Sequence, residues 1–110
     1  METDCIFCRI IAHEVTAEIV AENDNLIVIK DIFPKTAIHY LIIPKVHYKD
    51  LQSASDCPLT CAVFSMARTL SANIPGADEY RLVINNGYKA GQRVFHLHMH
   101  FLAGGLIPEF

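Results

Sequence analysis

The stretch Phe95-His96-Leu97-His98-Met99-His100-Phe101-Leu102 alternates histidine with large apolar residues. Successive side chains of a β-strand point to opposite faces. His96, His98 and His100 therefore share one face, while Phe95, Leu97, Met99 and Phe101 fill the other and anchor the strand in a core. Imidazole is the side chain whose unperturbed pKa makes it both base and acid near neutrality. Three of them at strict alternate spacing point to chemistry rather than packing. Along one flat strand such residues stand about 6.5–7 Å apart, too far to converge on one metal at bonds of about 2 Å. Nucleophilic catalysis is the better use, because a neutral imidazole can attack phosphorus and split one hard step into two.

Outward from this row, the chain reads as helix, strands, helix, strands. Cys5–Ala12 has the spacing of a short amphipathic helix, with Asp4 as its candidate cap. Glu18–Glu22 is a weak strand. Asn23-Asp24-Asn25 is a turn, and Leu26–Ile29 a buried strand ended by Lys30-Asp31. His39–Ile43 is a strand that stops at Pro44. The longest helix is expected from Ser55-Asp56 to about Ala72, with Pro58 early in it and Leu59, Val63, Met66 and Leu70 on its buried face. Tyr80–Asn85 is a strand, Asn86-Gly87 carries a hairpin signal, and Gly104-Gly105 closes the histidine strand. Strands joined by turns, without alternating helices, predict an α+β fold with a mainly antiparallel sheet.

The chain has 110 residues, which fits one domain spanning 1–110, and 52% of them are hydrophobic, which argues against disorder. Net charge is −3 with no Lys/Arg cluster, so a nucleic-acid polymer is not the expected partner. No apolar run reaches the roughly 18 residues of a membrane span. The opening Met1-Glu2-Thr3-Asp4 lacks the basic and apolar regions of a signal peptide, so the expected location is the cytoplasm. The four cysteines are then expected reduced. Cys57 and Cys61 read as ordinary helix residues. Cys5 and Cys8, three apart, share a helix face. They are either two small buried residues or half a zinc site that needs two further ligands. His13 is expected exposed at a helix end, His39 as a satisfied buried imidazole, and Lys35 and Lys45 as solvated.

Several ordered segments resemble the histidine triad (HIT) family, and the likeness covers nearly the whole chain. His96-Leu97-His98-Met99-His100-Phe101-Leu102 fits its H-φ-H-φ-H-φ-φ signature (φ, apolar) at all seven positions. Asp4-Cys5-Ile6-Phe7-Cys8-Arg9-Ile10-Ile11 is similar to its N-terminal helix, and Lys30-Asp31-Ile32 to its ribose-contacting strand end. His39-Tyr40-Leu41-Ile42-Ile43-Pro44-Lys45-Val46-His47 resembles its H-x-L-V-I-P-K-x-H segment. Leu82–Gly87 and Ala90-Gly91-Gln92 resemble its Asn-bearing strand and glycine loop. The nearest branch is that of small nucleoside phosphoramidases.

The resemblance implies a five-stranded sheet, a homodimer in which two such sheets join, and hydrolysis of purine nucleoside phosphoramidates, chiefly AMP–amine conjugates. It implies that His98 attacks the α-phosphorus while a backbone carbonyl holds its Nδ1–H. His100 and His47 would contact the phosphate and His96 would support the row. Asn85 and Gln92 would bond ribose or phosphate, and backbone N–H groups from Gly91 through Arg93 to Val94 would face developing negative charge. Asp31 would accept from the ribose hydroxyls. Ile6, Phe7, Ile10, Ile29 and Ile32 would form the purine slot. Catalysis would require no cofactor. A structural zinc would be held by Cys5, Cys8, His47 and His96, in which case His47 and His96 are ligands rather than phosphate donors.

Two features depart from the pattern. Arg93 stands where several relatives carry a hydroxyl or carboxylate that helps protonate the leaving amine, and an arginine cannot be a general acid at neutral pH. Gly105 stands where relatives often carry an arginine, ahead of a longer C-terminus. Arg93 raises the alternative of a dinucleoside polyphosphate hydrolase. A non-enzymatic, zinc-stabilised nucleotide-binding module is the second alternative.

Overall fold

The computed structural model describes residues 4–110, so the acidic residues 1–3 lie outside the described part. The elements run α1 (Ile6–Ile11), β1 (Ile19–Glu22), β2 (Leu26–Lys30), β3 (Ile38–Pro44), α2 (Cys57–Asn73), β4 (Tyr80–Val83) and β5 (Met99–Ala103). The strands form one sheet in the order β1-β2-β3-β5-β4. Every neighbouring pair is antiparallel, as expected for α+β.

The strands β2 and β3 are apolar on both faces because a helix covers each face. On one face Leu26, Val28, Ile42, Met99, Phe101 and Ala103 meet Val63, Met66, Ala67 and Leu70 of α2. On the other, Ile27, Ile29, Leu41 and Ile43 meet Phe7 and Ile10 of α1. Phe101 is completely buried, with its ring stacked between Tyr80 at 4.8 Å and Tyr40 at 6.3 Å. The Asn23 turn forms as expected: its side-chain oxygen accepts from the N–H groups of Asn25 and Leu26 at 2.9 and 2.8 Å. No helix among the described residues is long and apolar enough to cross a membrane.

The structure corrects the sequence reading in several places. The N-cap of α1 is Cys5, whose Sγ accepts from the Cys8 N–H at 3.4 Å, not Asp4. The helix α2 starts at Cys57, with Asp56 at its N-cap making no side-chain cap bond. The strand β4 ends at Val83, short of Asn85. Asn86-Gly87 opens a long loop through a 3-10 turn at Tyr88–Ala90 rather than a tight hairpin. The histidine strand is shorter than its alternation suggests: β5 begins at Met99, so only His100 of the three histidines lies on it. The chain before Met99 runs along the segment after β3 instead of pairing in the sheet, with the Leu97 N–H donating to the Tyr48 carbonyl at 2.7 Å. Leu97 is still buried, but Phe95 is 41% exposed and does not join the core. Lys45, expected solvated, is half-buried and pairs with Glu22 at 2.7 Å, whereas His13 is exposed as expected.

Candidate active site and metal centre

The register of β3 with β5 sets Leu41 opposite His100, so His100 lies on the α1 side of the sheet. His98 adjoins it, ring centroids 5.2 Å apart. The Phe7 ring meets His98 and His96 edge-on at 5.1 and 5.8 Å. The row thus survives outside the ladder because α1 covers it. His98 Nδ1–H donates to the His96 carbonyl at 2.8 Å. A carbonyl only accepts, so in the neutral ring Nε2 keeps its lone pair. Burial lowers the His98 pKa below the ordinary histidine value, which keeps that lone pair available at neutral pH.

His100 belongs to a second chain of bonds. The Lys35 main-chain N–H donates to His39 Nδ1 at 3.0 Å. Neutral His39 must then carry its proton on Nε2, which donates to His100 Nδ1 at 2.9 Å. The proton of neutral His100 is thereby placed on Nε2. Asp31 Oδ2 lies 3.4 Å from His39 Nε2, and Asp31 Oδ1 accepts from the Phe33 N–H at 2.8 Å. Burial, helped by the neighbouring His98 and His39, pushes His100 down to about 4. Burial also lowers His39, against the pull of Asp31. His39 is buried and satisfied as the sequence implied, yet it also determines which nitrogen of His100 is a donor. No sequence spacing shows this, because the contact is made across the β3–β5 pairing.

A third group gathers Cys5, Cys8, His47 and His96, whose ligand atoms all lie within 4.8 Å of one another. His96 Nε2–H donates to the Pro44 carbonyl at 2.7 Å, which turns the Nδ1 lone pair inward. That atom is 3.3 Å from Cys5 Sγ, 3.5 Å from Cys8 Sγ and 3.1 Å from His47 Nδ1. His47 Nδ1 is 3.3 Å from Cys8 Sγ. Two thiols and two imidazoles at such separations fit a tetrahedral zinc, for which bonds of about 2.0 and 2.3 Å place ligand atoms roughly 3.3–3.8 Å apart. The bond from His96 to Pro44 is the outer-shell contact that fixes a ligand's tautomer. Asp31, His39 and His100 also cluster within 4.8 Å, but the His39 proton sits on the nitrogen that faces the cluster. That group is a hydrogen-bond relay rather than a metal site.

The other expected residues are distributed unevenly. Phe7, Ile10 and Ile29 form one apolar wall, with Val94 packed on it. Ile6 is 38% exposed and Ile32 is 83% exposed, so the slot is open on their side. Asn85 is half-buried and lies beneath Gly91, where a Cβ would stand 3.5 Å from its side chain. Gln92 is buried and fully engaged. Its Oε1 accepts from the Gly87 N–H at 2.8 Å, and its Nε2 donates to the Lys49 and Val94 carbonyls at 2.8 and 3.1 Å. Here it braces the loop. Of the four expected main-chain donors, Gly91 and Gln92 are engaged within the turn, donating to Tyr88 and Gly87 at 3.0 Å each. Arg93 is exposed, with its guanidinium 4.2 Å over the Tyr88 ring and Nη1 donating to the Tyr88 carbonyl at 2.8 Å. It shares an open cleft of about 780 Å³ with Lys49, Cys5 and His47.

Comparison with known proteins agrees with this geometry. The HIT domain model matches residues 12–105. The chain is 44% identical over 104 residues to an uncharacterised HIT-like protein of Chlamydia trachomatis, covering 93% of this chain and 94% of that one. A solved HIT family hydrolase from Clostridium thermocellum superposes with a TM-score of 0.92 at 36% identity, over 99% of this chain and 98% of that one. A zinc-bound histidine triad family protein from Mycobacterium smegmatis superposes with a TM-score of 0.80 at 30% identity, over 91% of this chain and 74% of that one.

Proposed function

This chain belongs to the HIT domain family, its match running over residues 12–105, and from that premise we propose that it hydrolyses purine nucleoside phosphoramidates through a nucleotidyl-His98 intermediate. The observation that carries this reading is the 2.8 Å bond from His98 Nδ1–H to the His96 carbonyl, which leaves Nε2 as a fixed, neutral nucleophile.

His98 Nε2 attacks the α-phosphorus, the P–N bond breaks, and the leaving amine takes a proton from solvent, which the water of the second step returns. Water then attacks the same phosphorus, releasing the nucleoside monophosphate and restoring the imidazole. His100 Nε2–H, aimed by His39, donates to a phosphate oxygen. Asp31 accepts from the ribose, and the wall of Phe7, Ile10 and Ile29 takes the purine, AMP being the chief product. Cys5, Cys8, His47 and His96 hold a structural zinc, which supplies a tether between α1 and the row and no reaction step. Two chains pair as a homodimer.

A second reading is favoured by Arg93. Its guanidinium is held over Tyr88 in the cleft that it shares with Lys49, which suits an anionic leaving group such as the second half of a dinucleoside polyphosphate. Incubation with an AMP–amine conjugate and rapid acid quench should trap a nucleotide on His98 by mass spectrometry. His98→Ala should lose that adduct and about 10³-fold or more of turnover. Faster turnover of a diadenosine polyphosphate than of the AMP–amine would favour the second reading. Binding of AMP without turnover of any conjugate would reduce the protein to a nucleotide-binding module.

A further inference from the structure

The four-ligand cluster is lopsided. Cys8 and His96 are sealed, at 2% and 0% exposure, whereas Cys5 and His47 line the open cleft of about 780 Å³. Cys5 is also the N-cap of α1, so its Sγ lies over the Cys8 N–H, and the two sulfurs are within 4.8 Å. The two thiols are within reach of one another, and a metal held between them would keep both sulfurs as thiolates. His96 joins this cluster to the nucleophile, because its ring faces the thiols while its carbonyl accepts the His98 Nδ1–H.

We propose that Cys5 and Cys8 form an oxidation site, where a peroxide converts them to a disulfide, expels the metal and releases the hold on His98. The Cys5 thiolate attacks one peroxide oxygen and the O–O bond breaks, giving a sulfenic acid and hydroxide, which takes a proton from solvent to become water. The Cys8 sulfur displaces the sulfenic oxygen as a second water, so two thiols supply the two electrons that the peroxide takes up. Disulfide sulfurs no longer serve as anionic ligands, and two imidazoles alone do not hold the ion. With the metal gone, the His96 ring loses its link to the two sulfurs and keeps its contacts with Pro44, Phe7 and His47, and α1, six residues long, loses one anchor while Phe7 and Ile10 still pack on the sheet. Cys57 and Cys61 are exposed on α2 and belong to neither cluster of ligand atoms among the described residues, so their oxidation would release no metal. The effect on turnover rests on the hydrolase reading above; the disulfide and the metal release do not.

The test uses the full chain carrying Cys57→Ser and Cys61→Ser, loaded with zinc and treated with hydrogen peroxide. Zinc is followed with a coloured chelator, oxidation by intact mass and peptide mapping, and His98 by its ring ¹⁵N signals. The expected result is one zinc released for each loss of two hydrogens, mapped to Cys5–Cys8. A shifted His98 signal and a fall in turnover on the order of a hundredfold should accompany it, all restored by a thiol reductant with zinc. Adding Cys5→Ser should abolish the two-hydrogen loss. Zinc that never loads, zinc retained through oxidation, or oxidation mapped elsewhere overturns the site. A disulfide with zinc loss but an unmoved His98 signal overturns the coupling. If the reduced, zinc-loaded protein turns over no nucleotide, the hydrolase reading fails, and the mass, zinc and ring-signal results still decide the oxidation site.

Discussion

His100 shows how burial near the sheet turns a common residue into a specialised one. Its pKa falls to about 4 because burial penalises the imidazolium and its histidine neighbours repel it. The unfolded chain titrates near 6.5, so between about pH 4 and 6.5 the unfolded state binds a proton that the folded state refuses. Stability from this group is therefore full above about pH 6.5 and is lost as pH falls through the window. Urea unfolding at pH 7 and pH 5 should show that loss in the wild type and less of it in His100→Gln. His39 acts one bond further back, as a positioning residue. In His39→Phe nothing donates to His100 Nδ1, and the proton of His100 is no longer confined to Nε2. Turnover should drop about 10- to 100-fold with little change in AMP affinity, measured as a split between kcat and KM.

At the scale of elements, the loops need as much specification as the strands. Gly104 follows β5 with φ +91°, and a Cβ there would stand 2.9 Å from the Ala37 Cβ and 3.1 Å from the Ile38 nitrogen. Gly104→Ala should cost about 2–3 kcal/mol, read from the urea midpoint, with turnover per folded molecule unchanged. The loop between β4 and β5 is organised differently, around the side chain of Gln92, which ties it to the segment after β3. Asn86-Gly87 looked like a hairpin because that dipeptide suits a two-residue turn. The buried amide of Gln92 instead bonds Gly87, Lys49 and Val94 and holds a longer path. Likewise Asp4 was the obvious cap by residue type, but a thiol already drawn toward His96 took the position.

For the molecule as a whole, β1 and β4 are the open edges of the sheet, and an unpaired strand edge invites pairing with another chain. If two copies join edge to edge, as the proposed homodimer requires, sedimentation should give a two-chain mass at micromolar concentration. A one-chain mass would exclude it. The five strands, both helices, the buried face of α2 and the histidine row were legible in the sequence, because period-2 and helical apolar patterns report which side of an element meets a core. Local order also carried the Cys5–Cys8 spacing, while the resemblance to the family supplied the proposed role of His98. The family resemblance implied a carbonyl for His98 and two thiols for His96 and His47; the tertiary structure supplied the partner atoms for five of the six histidines and alone paired His100 with His39. Each of those assignments depends on which atom faces a ring nitrogen across two elements far apart in the chain. Spacing places a side chain on a face; only the register between strands and the docking of α1 choose the partner and, with it, the tautomer.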